Sequence, residues 1–167
     1  MRVDLAACYR LVAHYDMDDL FATHISARAP GEKEHFLLNP YGMHFSEITA
    51  SRLVKVDLDG NIVQDTKHVI NPAGFVIHSA VHAARQDAKC VMHTHTVAGM
   101  AIATMEEGLQ PWFQKAMRFY NGVAYHDFEG VAENLDERER LVKDLGDQNY
   151  LVLRNHGLLV CGPTISQ

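Results

Sequence analysis

Lys89-Cys90-Val91-Met92-His93-Thr94-His95 is an apolar run ending in two histidines, and Asn155-His156-Gly157 supplies a third. Side chains in a strand alternate between faces, so His93 and His95 point the same way at a spacing that lets them share one ion. Tyr150-Leu151-Val152-Leu153-Arg154 reads as a second apolar strand, and it delivers His156 at its end, just before a glycine. Three imidazoles at two strand ends suit a borderline transition metal with at least one coordination position open. The open position distinguishes a reactive centre from a structural one. Three neutral ligands leave the ion's charge uncompensated, so the centre can polarise a carbonyl, stabilise an enolate or acidify water. An H-x-H pair alone carries little weight; the third histidine makes the set informative.

Alternating and helical periodicities supply the elements that must position these rings. Residues 2–15 have helical spacing, with Asp4 as a candidate N-cap. His24–Arg28 and His35–Leu38 read as a hairpin around the turn Ala29-Pro30-Gly31-Glu32, and Asn39-Pro40-Tyr41-Gly42 is a further turn. Leu53–Leu58 is a strand, with Asp59-Gly60 as the hairpin signal before Asn61-Ile62-Val63. Phe75–Arg85, Val97–Met105 and Glu133–Leu145 carry helical patterns, Gly108–Trp112 is a loop and Val123–Tyr125 a short strand. Hairpins followed by strands alternating with helices predict a mixed sheet covered on both faces.

Composition narrows the class. The chain has 167 residues, 47% of them hydrophobic and 22% charged, enough for one domain with its own core. A net charge of -6 argues against nucleic acid as the main partner. Cys8, Cys90 and Cys161 are odd in number and scattered, which reads as buried reduced thiols in a cytoplasmic protein. Met1-Arg2-Val3-Asp4-Leu5 places an acid where a signal peptide needs apolar residues. No stretch approaches the roughly 20 apolar residues of a membrane span.

His78 and His82 stand at i and i+4 of one predicted helix, a spacing that can grip a metal. Ser79 follows His78 where the HExxH arrangement has its glutamate, so a buried, hydrogen-bonded role is favoured for His78. Arg85, Lys115 and Arg118 are candidate partners for an anionic substrate and stay unassigned.

The run from Gly74 to Asp87, continuing into His93-Thr94-His95 and completed by Asn155-His156-Gly157, resembles the class II aldolase/adducin family. Asn39-Pro40-Tyr41-Gly42-Met43, Leu53–Asp57 and Asp59-Gly60 are similar to its adducin-type branch. The resemblance covers essentially the whole chain. It implies a three-layer α/β/α sandwich around a mixed, largely antiparallel sheet. It also implies a cyclic homotetramer with sites at subunit boundaries, and a divalent metal (zinc foremost, manganese or iron in some members) on His93, His95 and His156. One domain over residues 1–167 follows, shorter than members that continue into C-terminal helices.

The departures bear on activity. Family aldolases carry a catalytic glutamate four residues before the counterpart of His78, and Gly74 stands there. The positions that cradle phosphate in sugar-phosphate aldolases correspond to Thr23-His24, Tyr41-Gly42 and Pro72-Ala73, which are poor in hydroxyls and free N–H donors. The proton-donating tyrosine of some members falls near Gln114. The resemblance therefore implies a lyase-like protein acting on a small carbonyl or carboxylate compound, by carbon–carbon cleavage or decarboxylation, with no catalytic residue assigned. Two alternatives remain open: a non-catalytic, adducin-like scaffold for self-association, and non-haem iron oxygenase-type chemistry.

Overall fold

The computed structural model describes residues 1–31, 34–130 and 135–167. Seven strands pair among them: β1 (His24–Arg28), β2 (Phe36–Leu38), β3 (Val54–Val56), β4 (Cys90–Thr94), β5 (Val123–His126), β6 (Tyr150–Leu153) and β7 (Gly157–Gly162). Their order is β3-β2-β1-β4-β7-β6-β5, with every neighbouring pair antiparallel except β5 with β6. The expected mixed, largely antiparallel sheet is present.

Helices cover both faces. Strand alternation splits the sheet so that Ile25, Ala27, Leu37 and Cys90 pack on α1 (Arg2–His14), through Leu5, Ala6, Tyr9 and Val12. The opposite face presents Val91, Leu159 and Cys161 to α2 (Pro72–Ala84) and α5 (Glu137–Leu145), through Ile77, Val81, Leu141 and Leu145. Two further helices, α3 (Val97–Thr104) and the short α4 (Gln114–Met117), follow β4. The Tyr9 hydroxyl fastens α1 to the sheet: it accepts from the amides of Ile25 (2.9 Å) and Asn39 (3.1 Å) and faces the Ile25 carbonyl.

Several boundaries differ from expectation. The first helix begins at Arg2, so Asp4 is no N-cap; it lies in the first turn, 2.7 Å from the Met1 amine. The N-terminal part of the second helix starts at Pro72 instead of Phe75, because the Asn71 side chain caps it by accepting from the Ala73 amide. Past Asp59-Gly60 the return strand shrinks to a single bridge, Val56 to Ile62. Glu32 of the predicted turn and Glu133 of the predicted helix lie outside the described residues. Cys90 and Cys161 are buried free thiols, whereas Cys8 is only half-buried. Among the described residues no helix is long and apolar enough to cross a membrane.

Candidate metal centre

Strand β4 sits in the middle of the sheet, with β1 on one side and β7 on the other. His93 is its penultimate residue, on the face that carries Val91 towards α2, and His95 follows the strand end. A three-residue turn, Arg154-Asn155-His156, joins β6 to β7. Asn155 takes a left-handed conformation (φ 55°), which asparagine tolerates better than most residues, and its amide donates to the Ala103 carbonyl at 2.9 Å. Arg154 holds the same turn: its Nη1 donates to the Met105 and Glu106 carbonyls, each at 3.1 Å, and its guanidinium lies over the Tyr125 ring.

Pairing β4 against β7 brings the three rings together. Ring centroids are 4.6 Å apart for His93 and His95, 4.7 Å for His93 and His156, and 4.9 Å for His95 and His156. One nitrogen from each ring lies within 4.8 Å of the other two. The outward nitrogens have acceptors of their own. His93 Nδ1 is 3.0 Å from the Leu158 carbonyl oxygen, and His95 Nδ1 is 3.0 Å from Asp19 Oδ2.

These outer bonds bear on whether a cation fits. A ring that donates Nδ1–H to an oxygen keeps its second nitrogen as a bare lone pair. Nε2 of His93 and Nε2 of His95 then face each other at 2.8 Å. Two lone pairs at that separation repel unless a positive charge lies between them. The His93 ring is a poor source of that charge. Burial, with His24, His156 and His95 adding like charge, holds His93 well below the usual imidazole range, and burial holds His156 at about 4. The donor set thus fits a divalent ion.

Asp19 gave no signal in the sequence as a site residue. Its carboxylate orients His95 as second partners of metal-bound imidazoles do. Asp19 is half-exposed, so its removal should leave the fold intact. Asp19→Ala is expected to weaken zinc binding about 10- to 100-fold, read by competition with a chromophoric chelator. Unchanged affinity would mean that the contact is incidental.

The neighbourhood of position 74 is equally specific. A Cβ on Gly74 would stand 2.7 Å from His24 Cδ2 and 3.1 Å from His24 Nε2. His24 is itself wedged, with its ring centroid 4.9 Å from that of His93 and its Nδ1 2.8 Å from His78 Nε2. The room that a side chain at 74 needs is filled by imidazole. Gly74→Ala gains about 1 kcal/mol of helix propensity, yet the collision outweighs it. The variant is expected to be destabilised by about 1–3 kcal/mol in urea unfolding, and a stabilised variant would contradict this packing.

The phosphate-cradle positions are donor-poor, as expected. Pro72 has no N–H, the Ala73 amide is taken by Asn71, and the buried Thr23 hydroxyl accepts from the Asp19 amide at 3.2 Å. Phe21 and Tyr41 are exposed instead, edge to face at 5.6 Å. His78 and His82 are fully buried and hydrogen-bonded, apart from the triad. Gln114 is exposed at the start of α4, and Arg85 is spent on Asp87 and on the carbonyls of Gly146 and Gln148.

Residues 3–167 match the family description Class II Aldolase and Adducin N-terminal domain. The chain belongs to the class II aldolase and adducin family. A Caulobacter vibrioides relative named "Putative aldolase class 2 protein" is 59% identical over 99% of this chain and 65% of its own length. Mouse alpha-adducin is 45% identical over 100% of this chain but only 23% of its own. The solved structure of an aldolase II superfamily protein from Pseudomonas syringae superposes with a TM-score of 0.97 at 55% identity, covering 99% of this chain and 67% of that one. The chain thus spans about two thirds of the bacterial relative and about a quarter of the adducin. Within this family domain the triad occupies the middle of the sheet, and position 74 lacks an acid.

Proposed function

We propose that this class II aldolase/adducin-type domain, residues 1–167, acts on a small carbonyl or carboxylate compound at a divalent metal centre held by His93, His95 and His156. The bare Nε2 pair of His93 and His95, fixed from outside by Leu158 and Asp19, is the observation that carries the reading. Zinc is the first choice of ion for three neutral imidazoles, with manganese or iron as substitutes. When bound, the ion supplies Lewis-acid polarisation of a substrate oxygen.

The chain's own residues do the rest. Asp19 and the Leu158 carbonyl hold two rings in the binding tautomer. Gly74 offers no base, so carbon–carbon cleavage must take its proton-accepting group from elsewhere, or give way to decarboxylation, which needs none. The donor-poor α2 start and the exposed Phe21–Tyr41 pair favour a substrate without a phosphate. A soluble, cytoplasmic homotetramer belongs to the same proposal.

Metal content by plasma emission tests it. Purified protein is expected to carry about one ion per chain and His93→Ala none; because His93 is buried, the less buried His156→Ala serves as a second variant. Well-folded protein that stays metal-free after zinc addition overturns the reading.

A second reading is favoured by one observation: His24 fills the space where an acid at position 74 would stand. It makes the domain a self-associating scaffold that has given up catalysis. A triple histidine variant that keeps its oligomeric state by light scattering, with no turnover in a carbonyl screen of the wild type, supports that reading over the first.

A further inference from the structure

His95 and His156 are connected through α3 as well as through the sheet. The helix begins just after His95, where the Thr96 side chain caps it by accepting from the Gly99 amide at 3.1 Å. Gly99 itself seats against Leu158, the residue whose carbonyl faces His93 Nδ1; a Cβ on Gly99 would stand 2.8 Å from Leu158 Cδ1. At the far end of the helix, the Ala103 carbonyl accepts from the amide of Asn155, next to His156, at 2.9 Å. One eight-residue helix thus touches the supports of all three rings.

The last carbonyls of a helix lack intrahelical donors. Here the β6–β7 turn supplies them. Besides the Asn155 amide, Arg154 Nη1 donates to the carbonyls of Met105, the C-cap, and of Glu106 just beyond it. A cation there also suits the negative end of the helix dipole. The Tyr125 ring braces the guanidinium, 4.7 Å from its centroid, and the Tyr125 hydroxyl accepts from the Leu109 amide at 3.0 Å, pinning the same segment a second time. The ion pair of Arg154 with Asp127, 3.8 Å from Nε, is open to water and adds little.

The turn depends on such support. Asn155 is left-handed (φ 55°), and a non-glycine residue in that region persists only where its surroundings hold it. Three hydrogen bonds, one from the Asn155 amide and two from Arg154, draw the turn onto the helix that starts beside His95. Releasing the end of α3 therefore lets His156 drift relative to His95, with which it must share an ion.

We propose that Arg154 is a positioning residue of the metal centre: by capping the end of α3 it fixes His156 against His95 and so sets how tightly the triad holds its ion. The claim about the ion rests on the metal reading above; the clamp on the turn does not. A guanidinium has no lone pair to offer an ion, so Arg154 acts through the backbone that leads to His156. Lysine at 154 would keep the charge but not the flat face that lies on Tyr125.

Zinc affinity, measured by chelator competition alongside urea unfolding, tests the proposal. Arg154→Met is expected to bind zinc about tenfold more weakly, with Arg154→Lys in between. Tyr125→Leu should weaken binding too, and the double variant should lose no more than Arg154→Met alone, because both act through one clamp. A merely structural role would lower the urea midpoint and leave the zinc affinity of the folded protein unchanged, and that result overturns the proposal. If Arg154→Met does not fold, Tyr125→Leu decides, and wild-type affinity there overturns it equally. Amide exchange in metal-free protein keeps the two readings apart. The Asn155 amide should exchange faster in either variant, while Leu159 in the middle of β7 stays as protected as in the wild type. Unchanged protection of Asn155 defeats the clamp. Wild type that takes up no zinc, with the variants showing this exchange pattern, defeats the metal reading and leaves the clamp standing.

Discussion

Acid should unfold this domain steeply, starting near neutrality. His24, His78 and His82 are buried as neutral rings, and desolvation pushes all three below the usual imidazole pKa, His82 from 6.5 to about 3. Above pH 6.5 the rings are neutral in both folded and unfolded chains, so their contribution is complete. Below it, only the unfolded chain takes up the protons, and stability falls until the folded pKa is reached. Each such ring removes about 1.4 kcal/mol per pH unit, so His82 alone costs about 2 kcal/mol at pH 5. Three rings acting together approach the whole stability of an ordinary domain, about 5–15 kcal/mol. Urea midpoints measured at pH 7.5, 6.0 and 5.0 in EDTA should drop sharply at each step. A flat midpoint across that range would mean that these rings are not buried neutral.

Gly157→Ala should abolish the metal centre and destabilise the fold together. A Cβ at 157 would stand 2.5 Å from the Thr94 carbonyl oxygen, 2.8 Å from His95 Cδ2 and 3.4 Å from His93 Cε1. The first contact is with backbone that belongs to the pairing of Thr94 with Leu158, so it cannot yield without opening β4 from β7. The expected loss is about 3 kcal/mol, which lowers the melting temperature by about 10 °C for a chain of this size. Zinc binding by calorimetry should vanish as the His93–His95 pair is pushed from His156. Gly122→Ala is the control, since its nearest contact is 3.6 Å away. Equal behaviour of the two variants would refute the close approach at 157.

The triad could be read from the chain because each of its determinants is local. Strand alternation orients His93 and His95, and a short turn carries His156. The hairpin of β1 and β2 was legible for the same reason, since apolar periodicity and turn residues suffice. Helix starts were less so: Asn71 caps α2 across a Pro72 that periodicity ignores, and Met1 displaced Asp4 as the start of α1. Asp19 was invisible as a site residue, and so was the contact between His24 and His78. Asp19 reaches a partner 76 positions away and His24 one 54 away. No short spacing rule encodes such contacts, and His24 read as the first residue of a strand and a counterpart of the phosphate cradle, with no sign of its contact to His78. The buried pair His78 and His82 shows the same limit, for the two declare a helical face but not Ser26, the serine that joins them.

The order of strands has a kinetic consequence. His95 and His156 are 61 positions apart (156 − 95), and they meet only after β4 has zipped onto β7 in the middle of the sheet. Loop closure over that span comes before any reward from coordination. An ion therefore cannot serve as a folding nucleus here. An ion bound by the triad would arrive after β4 and β7 have paired, would leave the refolding rate untouched, and would prolong the lifetime of the native molecule by tying together the two central strands that must part when it opens.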